Sequence, residues 1–293
     1  VEPGIGQVVL TLGDGESMPL KRDTNRLIFG GTMLQVRNER GTLVYSKIKS
    51  KEASEKIVYN TLTVPVRERF QLVLADGTKV FLNSGSEMRY PERFGKARRE
   101  VFLKGEAWFE VAKDSAREFW VHAGAMDVKV LGTSFNVKAY ERLETVATTL
   151  VEGSVEVACA GKSFQIVPGE QFVYDKNNRV MDVRMVDTES YVSWKDGYYK
   201  FRQTTLEEIM ETLSVWYGLN VFYVNESAKQ VEFTGKVKRY EDARMLLDKF
   251  EQTGDVVFDI KGNNVFITIK QKKPFAREWN SFLVKARGMV WQS

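Results

Sequence analysis

The thirteen residues "FQLVLADGTKVFL", Phe70–Leu82, carry the pattern that decides the fold. Phe70, Leu72 and Leu74 alternate with less apolar neighbours, Asp76-Gly77 interrupts, and Val80 and Leu82 resume the alternation. Period two is the signature of a half-buried strand, and Asp-Gly between two such runs is a hairpin turn, because Gly accepts the positive φ that a tight turn demands. An echo stands 62 residues earlier: "LGDGESMPL", Leu12–Leu20, places Asp14-Gly15 between Leu10, Leu12 and Leu20. Asp14 and Asp76 are not paired catalytic carboxylates on this pattern. Asp at that position is explained by hydrogen bonding to its own turn.

Outward from this hairpin the same grammar continues to about Asp187. Short runs such as "KVFL", "REVFL", "AWFEV", "MDVKVL", "SFNVKAY", "SVEVA" and "QFVY" alternate with Gly30-Gly31, Asn83-Ser84-Gly85, Gly105, Gly132, Gly153, Gly161 and Pro168-Gly169. No helical period persists for ten residues, so the spacing predicts an all-β sandwich or roll of many short strands. Ser46–Lys56, "SKIKSKEASEK", reads as an exposed loop or short surface helix, and the polar run Asp175–Ser190 as a boundary. From about Tyr191 the pattern becomes mixed. "TTLEEIMETLSVWYG" carries Leu206, Ile209, Met210, Leu213 and Trp216 in one helical stripe, with Thr205 and Glu208 as a capping box and Gly218 beyond the end. "YEDARMLLDKFEQTG" does the same with Ala243, Leu246, Leu247 and Phe250. With the strands around them the order is βαβ-βαββ, a small α+β domain.

Composition narrows the function. Apolar residues make up 43% and charged residues 28%, enough for a sizeable core. No run of about 18 apolar residues is present to cross a bilayer as a helix. The net charge of +4 is a mild excess; "KARR" at Lys96–Arg99 and "KQKK" at Lys270–Lys273 are solvated segments rather than a nucleic-acid groove. One Cys, Cys159, and one His, His122, exclude an internal disulfide, a Cys-cluster metal site and a three-His zinc centre. Nothing in sequence brings those two side chains together as a dyad. No Gly-rich phosphate loop opens either helix, so no cofactor is expected. The chain reads as a non-enzyme.

The succession "LADGTKVFLNSGSEMRYP", "VFLKGEAWFEVAK", "VKVLGTSFNVKAY", "TTLVEGSVEV", "VPGEQ", "WKDGYYKF" and "LSVWYG" resembles the FecR-type anti-sigma regulators, over roughly Ile5 to Ile269. The C-terminal part is similar to the branch with a secretin/TonB short N-terminal-like domain. The resemblance implies three segments: 1–65, a β segment packing with the FecR-type domain; 66–187, that all-β domain; and 188–270, the α+β domain. Residues 271–293 are a tail that departs from the usual family ending, and the resemblance implies nothing for it. It further implies a periplasmic sensor anchored to the inner membrane through a preceding helix. Its partner would be the N-terminal signalling domain of a TonB-dependent outer-membrane transporter. A cytoplasmic domain ahead of this chain would bind an extracytoplasmic-function sigma factor.

Docking by strand addition to a sheet edge is expected near Tyr198, Tyr199 and Phe201, or near Val265 and Ile267. Some family members are reported to cut themselves at a Gly-Thr bond; here the matching pair is Gly132-Thr133. The alternative is a carbohydrate-binding β-module, for which six Trp are available. The tail carries Trp279, Phe282, Leu283 and Ala286 at the spacing of a short amphipathic helix.

Overall fold

A computed structural model describes residues 6–21, 26–30, 34–39, 42–47, 57–239 and 242–270. Most of the Ser46–Lys56 loop and the whole 271–293 tail therefore lie outside the described residues.

Two large sheets face each other. The first runs, neighbour to neighbour, Ser17–Leu20, Val8–Thr11, Tyr59–Thr63, Glu87–Pro91, Arg99–Glu110, Phe119–Ala123, Met126–Val130, Val155–Cys159 and Lys162–Ile166. The second runs Arg26–Gly30, Leu34–Glu39, Thr42–Lys47, Phe70–Val73, Lys79–Leu82, Arg99–Glu110, Ser134–Ala139, Thr145–Glu152, Glu170–Asp175 and Val180–Met185. Pairing is antiparallel except between Arg99–Phe102 and Phe119–His122, and between Thr42–Val44 and Gln71–Val73. Leu10, Leu62, Leu72, Val80, Val121, Phe135 and Phe172, all fully buried, fill the space between the sheets. This is the sandwich expected from the alternation, and strands on both sides of residue 65 belong to it.

Both Asp-Gly pairs are hairpin turns. Gly15 and Gly77 hold φ of 93° and 89°. Asp14 accepts from the Glu16 N–H and Asp76 from the Thr78 N–H, each at 3.0 Å. Gly105, expected to punctuate two strands, instead lies inside one. Arg99–Glu110 is a single twelve-residue strand whose first half belongs to one sheet and second half to the other. The bend sits at Gly105, with φ of 101°; a Cβ there would come within 2.7 Å of the Ser86 Cα, so only Gly passes.

The C-terminal part follows the βαβ-βαββ order. After α1 (Thr188–Val192) and a 3₁₀ turn come Tyr198–Thr205, α2 (Leu206–Tyr217), Asn220–Tyr223, Glu232–Lys238, α3 (Ala243–Glu251), Val256–Lys261 and Asn264–Ile269. The Thr205 hydroxyl caps α2 by accepting from the Glu208 N–H at 3.3 Å, and Gly218 ends it at φ of 69°. Tyr198–Thr205 pairs with Glu232–Lys238. Asn264–Ile269 is the middle of a three-stranded sheet, between Asn220–Tyr223 and Val256–Lys261. Both helices and both small sheets share one core, in which Leu206, Ile209, Leu246, Val265 and Ile267 are fully buried.

Candidate partner-binding surface

The two parts are joined over the outer face of the second sheet. Trp108 and Phe81 leave the sandwich on that face and pack into the C-terminal core with Trp194. A polar chain crosses the same contact. Glu106, on the sandwich, accepts from Asn83 Nδ2 at 2.8 Å and from Asn136 Nδ2 at 2.9 Å. Asn136 Oδ1 in turn accepts from the Trp194 indole N–H at 3.3 Å. Burial pushes the Glu106 carboxyl above the usual carboxylate range, while the Lys138 charge and the two amides pull it partly back. Beside it, Lys138 lies 3.8 Å from Glu211 of α2, and a cavity of about 200 Å³ opens between the parts.

A second junction caps α2. The last carbonyls of a helix lack partners within it. Ser84 Oγ lies 3.2 Å from both the Val215 and the Trp216 oxygens, and the Arg67 N–H donates to the Trp216 oxygen at 3.1 Å. Arg239 stacks over the Trp216 ring at 3.6 Å and donates to the Trp194 carbonyl at 3.3 Å. Arg69 donates to the Lys195 carbonyl. The C-terminal part is thus fixed to the sandwich by its α2 terminus, its 3₁₀ turn and an aromatic contact.

The residues expected to form a docking edge divide differently. Val265 and Ile267 are fully buried in a strand flanked on both sides, so they are core and not an edge. Tyr199 and Phe201 are buried as well, their rings 6.0 Å apart. Tyr198 is half-buried: its hydroxyl donates to Glu189 of α1 at 3.0 Å, and Lys236 sits 3.6 Å from its ring. The alternation in "NVFITI" holds the missing signal. If Val265 and Ile267 face inward, Phe266 and Thr268 face out.

That outward face carries most of the exposed large apolar side chains described in the C-terminal part. Phe222 and Phe266 stack at 5.1 Å across paired strands. Phe222 is 47% exposed, Val224 62% and Val257 41%. Among the described residues the strand Val256–Lys261 pairs only with Asn264–Ile269; on its other side the Phe258 N–H donates to Glu251 Oε1 at 2.5 Å and the rest is an open edge. Consecutive apolar residues offered a second readable signal: Ala107-Trp108-Phe109 in "GEAWFE" means a strand covered on both faces.

Gly132-Thr133 lies at the turn before Ser134–Ala139. The Thr133 hydroxyl donates to the Ser154 carbonyl at 3.0 Å, and a Cβ on Gly132 would meet Lys113. Lys79, Glu110, Lys113 and Glu152 line the shallow pocket around the pair. His122 and Cys159 stand on opposite faces of the first sheet. Cys159 is buried, while His122 lies outside, 2.7 Å from Asp127. His122 stacks between Phe102 and Trp120, and the Lys129 ammonium lies 5.6 Å from the Trp120 ring centroid. Among the described residues no helix is long and apolar enough to cross a membrane.

Two family models match the chain: FecR protein over residues 60–156, and FecR, C-terminal, over residues 198–267. The chain belongs to the FecR family. The first FecR match falls on the sandwich and the second on the α+β part that bears the Phe222–Phe266 face. Two crystal structures from Parabacteroides distasonis ATCC 8503, each assigned as an anti-sigma factor, have the same architecture. One is 28% identical, with a TM-score of 0.65, over 71% of this chain and 98% of that one. The other is 27% identical, also with a TM-score of 0.65, over 72% and 99%. No curated protein matches. This FecR chain thus shares its architecture with two chains assigned as anti-sigma factors.

Proposed function

We propose that this FecR chain is the periplasmic sensor of a transmembrane anti-sigma factor. It receives a signal from the N-terminal signalling domain of a TonB-dependent outer-membrane transporter and controls release of an extracytoplasmic-function sigma factor. Sigma binding belongs to a cytoplasmic domain that the family carries ahead of this region. The work of this chain is recognition rather than chemistry.

The observation that supports the reading best is the Phe222–Phe266 face with the open edge at Val256–Lys261. An exposed stacked aromatic pair is the usual kind of interface anchor, and an open edge accepts a partner's strand through main-chain hydrogen bonds. The rigid junction at Ser84, Arg239 and Trp194 gives a load on that face a path into the sandwich.

Titration calorimetry of this chain with the signalling domain of the transporter encoded beside it tests the proposal. Saturable binding is expected, weakened about tenfold or more by Phe222→Ser, the loss of one anchor. Binding of equal strength by the wild type and the variant would move the docking site elsewhere. No binding at high micromolar concentration would sink the transporter as partner.

A further inference from the structure

We propose that residues 275–291 of this chain cover the outward face built by Phe222, Val224, Val257 and Phe266. Four exposed or half-exposed large apolar side chains share one sheet face, two of them stacked aromatics, with Thr268 between the two valines, and together they are more than scattered surface hydrophobics. The chain itself supplies a segment suited to that face, and delivers it to the right place.

The delivery point is fixed. Asn264–Ile269 is the central strand of this sheet, and Lys270 directly after it donates its N–H to the Asp255 carbonyl at 2.9 Å. The following 23 residues therefore leave beside Val256 and Val257. The five steps from Lys270 to Phe275 reach about 17 Å when extended. Three strands span only about 10 Å. Phe275, Trp279, Phe282, Leu283, Met289 and Trp291 can all lie over the face.

Composition marks the same segment. Residues 271–293 hold five basic residues and one acidic residue, so the +4 excess of the whole chain lies entirely there and the remainder is balanced. Trp279, Phe282, Leu283 and Ala286 recur at helical spacing, with Lys285 between them and Arg277 and Arg287 flanking them. A segment with an apolar stripe flanked by basic residues matches a face whose centre is aromatic and whose edge strand, Val256–Lys261, carries Asp259, 3.0 Å from Lys261, with Asp255 just before it.

Coverage has a consequence that rests on the function proposed above. The segment occupies the surface offered to the transporter's signalling domain, so the partner must displace it. A partner that competes with an intramolecular occupant binds more weakly by the fraction of time the site is free.

The test places the photo-crosslinker p-benzoylphenylalanine at position 279 of the full chain and maps adducts by mass spectrometry. The expected product is an intramolecular link to peptides containing Phe222–Val224, Val256–Lys261 or Asn264–Ile269. Links to other surfaces, links only between chains, or no adduct would overturn the proposal. So would co-sedimentation of the full chain with phosphatidylglycerol vesicles that is lost in Trp279→Asp, because a lipid surface would then be the occupant. The double variant Trp279→Asp/Phe282→Asp should bind the signalling domain about tenfold more tightly, the factor for a site free one-tenth of the time. An adduct without that gain would leave the coverage standing and overturn the assignment of the partner to this face.

Discussion

Asp76 and Arg99 form a buried ion pair, with Arg99 Nη1 2.8 Å from Asp76 Oδ2 and the two side chains 0% and 7% exposed. The turn Asp therefore has a second task. Its Oδ1 closes the hairpin by accepting from the Thr78 N–H, and its Oδ2 takes Thr78 Oγ1 and Arg99. The guanidinium spends its remaining donors on the Ala112 and Arg117 carbonyls. One side chain thereby ties the start of the strand shared by both sheets to the hairpin and to the loop before Phe119.

Arg99→Met removes a charge whose partner stays buried, which costs about 3–5 kcal/mol. Urea denaturation of the variant should show that loss. Asp76→Asn/Arg99→Met should recover a large part of it, since Asn keeps the turn and carries no charge. A loss below about 1 kcal/mol in Arg99→Met would mean that the pair is no more than a surface bridge.

The Ser84 hydroxyl joins the sandwich to the end of α2, accepting from the Arg67 N–H at 2.9 Å while facing the Val215 and Trp216 oxygens. Ser84→Ala leaves these carbonyls one donor short, at about 1–2 kcal/mol. The effect should be local: amide exchange should quicken in the last turn of α2 and in Ser193–Asp196, with the strands of the sandwich unchanged. Uniform acceleration throughout the chain would show that the contact stabilises the whole fold and not the junction.

How far these features could be read in advance depends on their range along the chain. Both Asp-Gly hairpins and both helices were legible, because turn chemistry and a 3.6-residue period are local. The sandwich was legible as a class, but not its strand order, since pairings such as Thr42–Val44 with Gln71–Val73 leave no local trace. Gly105 misled because a glycine inside a strand and a glycine between strands look alike until the second sheet is in place. Val265 and Ile267 were assigned to an edge because six apolar-rich residues show a strand but not its neighbours. Arg99 sits in "KARR" like a solvated residue, and only the fold brings Asp76 to it.

Glu106 gives the junction a pH dependence with a defined sign. Its carboxyl is held above the usual range by burial, so the folded state keeps the proton to higher pH than the unfolded state does. Its contribution is therefore most favourable below the ordinary Glu value of about 4.3 and is lost as pH rises through the folded value. Glu106→Gln removes the ionisation. Asn83 Oδ1, buried without a partner, can accept the new amide once the Asn83 side chain turns over. Melting temperatures of wild type and Glu106→Gln across pH 4 to 8 should diverge toward high pH, with the variant gaining. If the wild type gains instead, the carboxylate is stabilised by its amide and Lys138 neighbours and burial is the smaller effect.

The Gly132–Thr133 bond tests whether the reported family cleavage extends to this chain. Hydroxyl attack on the preceding carbonyl needs a base to take the Thr133 proton. That proton is donated to the Ser154 carbonyl, which cannot hold it, and Gly132 is outside the left-handed region that would mark backbone strain. Glu110 and Glu152 line the neighbouring pocket, but neither is hydrogen-bonded to Thr133 Oγ1. Intact mass spectrometry of the purified chain should give one uncut species, and Thr133→Ala should leave that mass pattern unchanged apart from the substitution. Two fragments meeting at Thr133 in the wild type and absent in Thr133→Ala would reverse this. The carboxylate at Glu152 or Glu110 would then be the base to remove next.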